Sequence, residues 1–134
     1  MKVAISSTGK SLDDEVDARF GRCNYFLIVD IEDKEIKNVK AVENRAAAQA
    51  GGAGITAAQI VADEKVEAVI TMNTGPRAFD VFQQLKIKVY QGQGKIKDVL
   101  QEFIDGKLKE ITNATGPQHM GLGGKINENS NIYR

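Results

Sequence analysis

The chain holds one cysteine and one histidine, so its capacity for soft metal chemistry is narrow. Cys23 lies in Phe20-Gly21-Arg22-Cys23-Asn24, where the adjoining guanidinium favours the thiolate and so metal ligation or reactivity. The other reading of a lone cysteine is a small buried hydrophobe. His119, in Gly116-Pro117-Gln118-His119-Met120-Gly121, is either an exposed side chain or a second ligand beside Cys23. A closed structural zinc site takes four protein ligands, which this pair cannot supply within one chain. A metal here is shared between subunits or carried as a preformed cluster with its own sulfides.

Other residues suit an anion. Arg19 and Arg22 match a ligand with carboxylate or sulfide-borne negative charge, unless they are only solvated cations. Gly52-x-Gly54-x-x-Ala57 fits the spacing of a dinucleotide fingerprint. No strand precedes it, however, and the residue about twenty positions on is Asn73 rather than an acid. Bare backbone N–H groups at a helix N-terminus, open to an anion, are the better reading of these glycines. Catalytic patterns are thin. The first strand, Lys2 to Ser6, carries no carboxylate for a two-metal nuclease, and no nucleophile-elbow G-x-S-x-G occurs. The expectation is a binding protein and not an enzyme.

The elements that must position these residues centre on Val66 to Leu85. An apolar, β-branched run reads as a buried strand, Asn73-Thr74-Gly75-Pro76 breaks it, and Pro76 suits the first turn of a helix. Ala78, Val81, Phe82 and Leu85 then recur at helical spacing. Upstream, Lys2–Ser6, Tyr25–Asp30 and Glu35–Val42 read as strands, the last two joined by a turn short enough for antiparallel pairing. Thr56-Ala57-Ala58-Gln59 resembles a capping box, giving a helix that starts between Gly52 and Thr56 and ends near Lys65. A strand at Ile87–Tyr90 and a helix marked by Ile96, Val99, Leu100 and Phe103 complete the series, with Gly106 past the helix end. The sum is an α/β, ribonuclease-H-like fold: a five-stranded mixed sheet, order 3-2-1-4-5, with three helices. That order brings Ser6-Ser7, Phe20 to Asn24, Asn73 to Pro76 and Gln91 to Gly94 to one rim, the carboxyl edge where such sheets bind ligands.

Residues 1–111 thus form one domain, and the polar, glycine-bearing stretch 112–134 reads as a flexible tail. Lys and Arg number 18, as do Asp and Glu, leaving no net field to draw nucleic acid or an anionic membrane. No apolar run reaches the ~20 residues of a membrane span. Met1–Ile5 enters a strand directly, which with a single cysteine points to the cytoplasm. A monomer or weak homo-oligomer is expected.

Val16-Asp17-Ala18-Arg19-Phe20-Gly21-Arg22-Cys23-Asn24 with the strand after it strongly resembles the first block of the dinitrogenase iron-molybdenum cofactor biosynthesis family. Gly52-Ala53-Gly54-Ile55, Ala68-Val69-Ile70-Thr71 with Gly75-Pro76, and Ile87-Lys88-Val89-Tyr90 look like its later blocks, in the same order. The resemblance implies the ribonuclease-H-like fold. It also implies a non-catalytic carrier of an iron-sulfur or iron-molybdenum-type cluster, working between a cluster donor and a recipient protein. A small-molecule anion-binding or regulatory module without metal is the alternative. The implied binding positions are Arg19, Phe20, Gly21, Arg22, Gly52, Gly54, Asn73, Thr74 and Gly75, with Cys23 and His119 as metal ligands. Some members carry a histidine where this chain has Arg19.

Overall fold

The structure, a computed structural model, describes residues 1–113. Six strands form one mixed sheet: β1 (Lys2–Ser7), β2 (Tyr25–Glu32), β3 (Glu35–Glu43), β4 (Ala68–Thr71), β5 (Lys88–Gln91) and β6 (Lys109–Ile111). Their spatial order is β3-β2-β1-β4-β5-β6. The expected order of the first five strands holds, and the expected number is corrected by β6. This strand pairs antiparallel to β5 through Ile111, Glu110 and Lys109. Only Ile111 of its three residues is buried, so the sequence carries almost no strand signal there.

β1 takes the centre because its residues from Val3 to Ser7 are buried on both faces, which the apolar run Val-Ala-Ile permits. It pairs antiparallel with β2 and parallel with β4, and β4 pairs parallel with β5. The carboxyl ends of β1, β4 and β5 therefore share one edge. Along β1 and β2, successive side chains enter opposite cores. Ala4, Phe26 and Ile28 join one cluster, whereas Val3, Ile5, Leu27 and Val29 join the other, as the period of two requires.

Two helices, α1 (Ala53–Asp63) and α2 (Pro76–Gln84), cover the first cluster. A third, α3 (Ile96–Ile104), covers the second. The start of α1 falls within the expected Gly52–Thr56 range, but Thr56 is not its cap. The helix starts three residues earlier, with Gly52 as its N-cap at φ 71°, a left-handed backbone that glycine adopts without steric cost. Thr56 is already inside, its N–H donating to Gly52 O at 3.1 Å. Leu85, expected on the apolar face of α2, lies past the helix end and is exposed.

The first core reaches the rim through Phe20, whose ring meets Phe26 at 5.1 Å and stands edge-on to Phe82 at 5.3 Å. Cys23 shares this core and is fully buried. Its Sγ donates to Phe20 O at 3.3 Å. The expectation that Arg22 holds Cys23 as a thiolate is corrected by this placement. Burial pushes the thiol up to about 12, Asp17 adds to the rise, and hydrogen bonds from the Ser7 backbone and Asn44 offset it only in part. Desolvation penalises the charged form, and no guanidinium contact compensates.

Two outcomes test this packing. A Cβ at Gly92 would lie 2.6 Å from Val99 Cγ1 and 2.9 Å from Ile70 Cγ2, so Gly92→Ala forces these packed side chains to shift. It is expected to lower the urea-unfolding free energy by about 1–3 kcal/mol. Gly51→Ala, with nothing within 4 Å of the added carbon, is expected to change it by no more than ~0.5 kcal/mol. For Cys23, the folded thiol stays protonated while the unfolded one ionises from about 9 upward. The neutral thiol's contribution is therefore complete below pH 9 and declines as pH rises toward 12. In urea melts over that window, the parent should lose about 1.4 kcal/mol per pH unit more than Cys23→Ala. Equal slopes for the two proteins would refute the buried neutral thiol.

Candidate functional site

Three separate segments meet at the carboxyl edge of the sheet and enclose an open cleft of about 640 Å³. The β1–β2 connection supplies Ala18, Arg19, Phe20, Gly21 and Arg22. The start of α1 supplies Gly52, Ala53 and Gly54, and the β4–α2 turn supplies Asn73, Gly75, Pro76, Arg77 and Ala78. Hydrogen bonds hold the segments together. Ser6 Oγ, fully buried, bonds to Thr71 Oγ1 at 2.8 Å and to Asp17 O at 2.9 Å. Asn73 Nδ2 donates to Ala18 O at 3.4 Å beside a parallel bridge between Arg19 and Asn73.

Within Phe20–Cys23, successive residues do different jobs. Phe20 and Cys23 point into the core. Gly21 backs onto α1, where a Cβ would lie 3.1 Å from Gly54 N and 3.2 Å from Gly54 Cα. Arg22 Nη1 donates to Ala47 O at 2.9 Å and Gln49 O at 2.5 Å, tying the cleft loop to the connection that leads into α1.

The electrostatics of the cleft are one-sided. Among the described residues, three arginines line it and no aspartate or glutamate does. Buried Asp17, just behind, accepts from Arg19 N at 2.9 Å and Arg19 Nε at 3.3 Å. It thereby orients Arg19, whose side chain stays 66% exposed. Both helices that begin at the cleft, α1 and α2, lack a side-chain cap and an acidic residue in the first turn. The leading N–H groups of a helix have no acceptor within it and carry its positive end. In a chain with no net charge, this is a local concentration of positive charge and helix N-termini.

Of the expected binding residues, Arg19, Phe20, Gly21, Arg22, Gly52, Gly54, Asn73 and Gly75 come together in this one cleft. Thr74 does not line it and is 1% exposed. Gln91 to Gly94 reaches the same sheet edge but joins the 14–17 segment instead: Val16 N donates to Gly94 O at 2.9 Å. Cys23 lies behind the cleft loop in the core, and His119 lies outside the described residues. Arg77 was missed, although its place directly after Gly75-Pro76, in the first turn of a helix, was the available signal. Among the described residues no group of three or more His, Cys, Asp or Glu could hold a metal ion. A bare iron ion would find no ligand set in the cleft, whereas an anion that brings its own ligands would find donors and charge.

Comparison with known proteins agrees on a lineage. Residues 1–106 match the family model described as dinitrogenase iron-molybdenum cofactor. An uncharacterized protein of Methanocaldococcus jannaschii is 38% identical over 113 residues, which is 83% of this chain and 96% of that protein. A second from the same organism is 32% identical over 114 residues, covering 84% and 96%. The apo form of the orange protein from Desulfovibrio gigas superposes with a TM-score of 0.77 at 32% identity, over 86% of this chain and 96% of that one. On this evidence the chain belongs to the dinitrogenase iron-molybdenum cofactor family.

Proposed function

We propose that this protein is a non-catalytic carrier that holds a preformed, anionic iron-sulfur or iron-molybdenum-type cluster in the arginine-lined cleft and passes it from a donor to a recipient protein. The observation that carries this reading is the pairing of three arginines and two uncapped helix N-termini with no carboxylate among the described lining residues. Arg19 from the β1–β2 connection and Arg77 from the first turn of α2 supply charge, and the backbone of Gly52 to Gly54 and of Gly75, Arg77 and Ala78 supplies N–H donors. The cargo is held by hydrogen bonds and charge, so its own sulfides and metals keep their coordination.

Membership in the iron-molybdenum cofactor family supports the class of cargo. The orange protein also supports a bound group, since a coloured relative described in an apo form implies a form that holds something. The first five strands, in the order expected of a ribonuclease-H-like fold, support that assignment too. Among the described residues no helix is long and apolar enough to cross a membrane. The protein is read as cytoplasmic.

The absence of ligating side chains from the described lining favours one second reading, a metal-free site for a smaller anion. One experiment separates the two. The full chain is mixed anaerobically with a synthetic, water-soluble, thiolate-ligated 4Fe–4S cluster, desalted, and assayed for co-eluting iron and visible absorption. The parent and Cys23→Ala are expected to retain it, and Arg19→Ala/Arg77→Ala to bind about tenfold or more weakly. Raising salt from about 50 to about 500 mM should weaken parent binding strongly, because the attraction is between exposed charges. No retention by the parent overturns the carrier reading in favour of the smaller anion. Loss confined to Cys23→Ala would make the buried thiol a ligand after all.

A further inference from the structure

The cleft's loop wall and its helix wall are far apart in sequence, and one buried side chain outside the cleft governs how they meet. Asn44, directly after β3, is 4% exposed. Its Nδ2 donates to Gly21 O at 3.1 Å and to Cys23 O at 2.9 Å. Its Oδ1 accepts from Ala46 N at 3.1 Å and so starts the 3-10 turn Arg45–Ala48. Its own N–H donates to Asn24 O at 3.0 Å. The amide thus grips the loop wall with its donors and the approach to α1 with its acceptor.

Only a carboxamide does this. Two carbonyls must be met by donors while, on the same side chain, an N–H is met by an acceptor, and no hydroxyl or carboxylate offers that set. The grip matters because of Gly21, which stands so close to Gly54 that an added Cβ would sit 3.1 Å from the Gly54 nitrogen. Moving Gly21 O therefore moves the loop against the first turn of α1, where the N–H donors of the cleft lie. Arg22, bonded to Ala47 O and Gln49 O, crosses between the same two segments from the cleft side.

We propose that Asn44 is the positioning residue of the cleft: without touching the ligand, it fixes the Phe20–Arg22 loop against the N-terminus of α1. The claim rests on the anion-binding reading above. Asn44→Asp keeps the shape but sets carboxylate oxygen against two carbonyl oxygens, a buried repulsion. Val61→Ala, in the same core and away from the cleft, serves as a control that destabilises without touching the walls.

The test uses the full chain and the same thiolate-ligated 4Fe–4S probe. In ligand-free nitrogen-15 spectra, Asn44→Asp should shift the amide signals of Gly21 and Gly54 and leave Gly106 in place. It should also weaken probe binding about tenfold or more, whereas Val61→Ala, at a similar loss of Tm, stays within about twofold of the parent. Should Asn44→Asp fail to fold, Asn44→Ser carries the same comparison. Unmoved Gly21 and Gly54 signals overturn the proposal, as does an equal loss of affinity in Val61→Ala. If the parent retains no probe, the carrier reading falls, and the amide signals alone decide the claim about Asn44.

Discussion

The arrangement of the molecule depends on β1 and β4 lying side by side and parallel at the centre of the sheet. Parallel neighbours send their exits to the same edge, so the chain leaving β1 and the chain leaving β4 must share space. The buried contact of Ser6 Oγ with Thr71 Oγ1 joins those two exits, and the same hydroxyl reaches Asp17 O in the loop that follows β1. An unpaired polar group at this depth costs on the order of 1–3 kcal/mol, so the loop is drawn toward the β4 edge. Everything that lines the cleft follows from that shared edge.

Charge is then sorted across short distances. Asp17 stays behind the wall and steers Arg19, while the charged side chains of the described lining are all arginines. A carboxylate in the lining would neutralise the field and repel an anion; one buried behind it orients the guanidinium without facing the ligand. Phe20 does comparable work by packing. Its ring, set against Phe26 and Phe82, anchors a loop that lacks regular secondary structure. Gly21 can then approach the helix closely enough for both to face one ligand.

Much of this was legible because it rests on signals of composition and order. Tyr25–Glu32 and Ala68–Thr71 are dense in β-formers, Gly75-Pro76 marks a helix start, and the short link between Glu32 and Glu35 forces β2 and β3 to be antiparallel. What escaped was local. The strand at Lys109–Ile111 exposes two of its three residues, so no alternation betrays it. The start of α1 turned on the left-handed backbone of Gly52, which the better-looking Thr56 motif obscured. Cys23 was left between a thiolate and a buried hydrophobe because adjacency in sequence says nothing of side-chain direction. Arg22 turns to Ala47 and Gln49, and its neighbour turns into the core. Asn44 gave no signal at all, since a lone polar residue at a strand end looks like any loop residue until its partners are known.

On the carrier reading, a cleft whose described residues include no coordinating side chain has a physical advantage. A cluster held through thiolates must exchange a metal–sulfur bond at each handover. One held by guanidinium groups and backbone N–H donors leaves by losing hydrogen bonds and charge pairing, each weakened by water and salt. Such a site gains affinity from several weak contacts acting at once, and so depends on their being held in place beforehand. Here that holding is done by groups behind the lining: Asp17 for Arg19, the rings of Phe26 and Phe82 for Phe20 and its loop, and the carbonyls of Ala47 and Gln49 for Arg22. The rigidity of the surrounding fold, not any single contact, is what lets a neutral chain present a concentrated positive site.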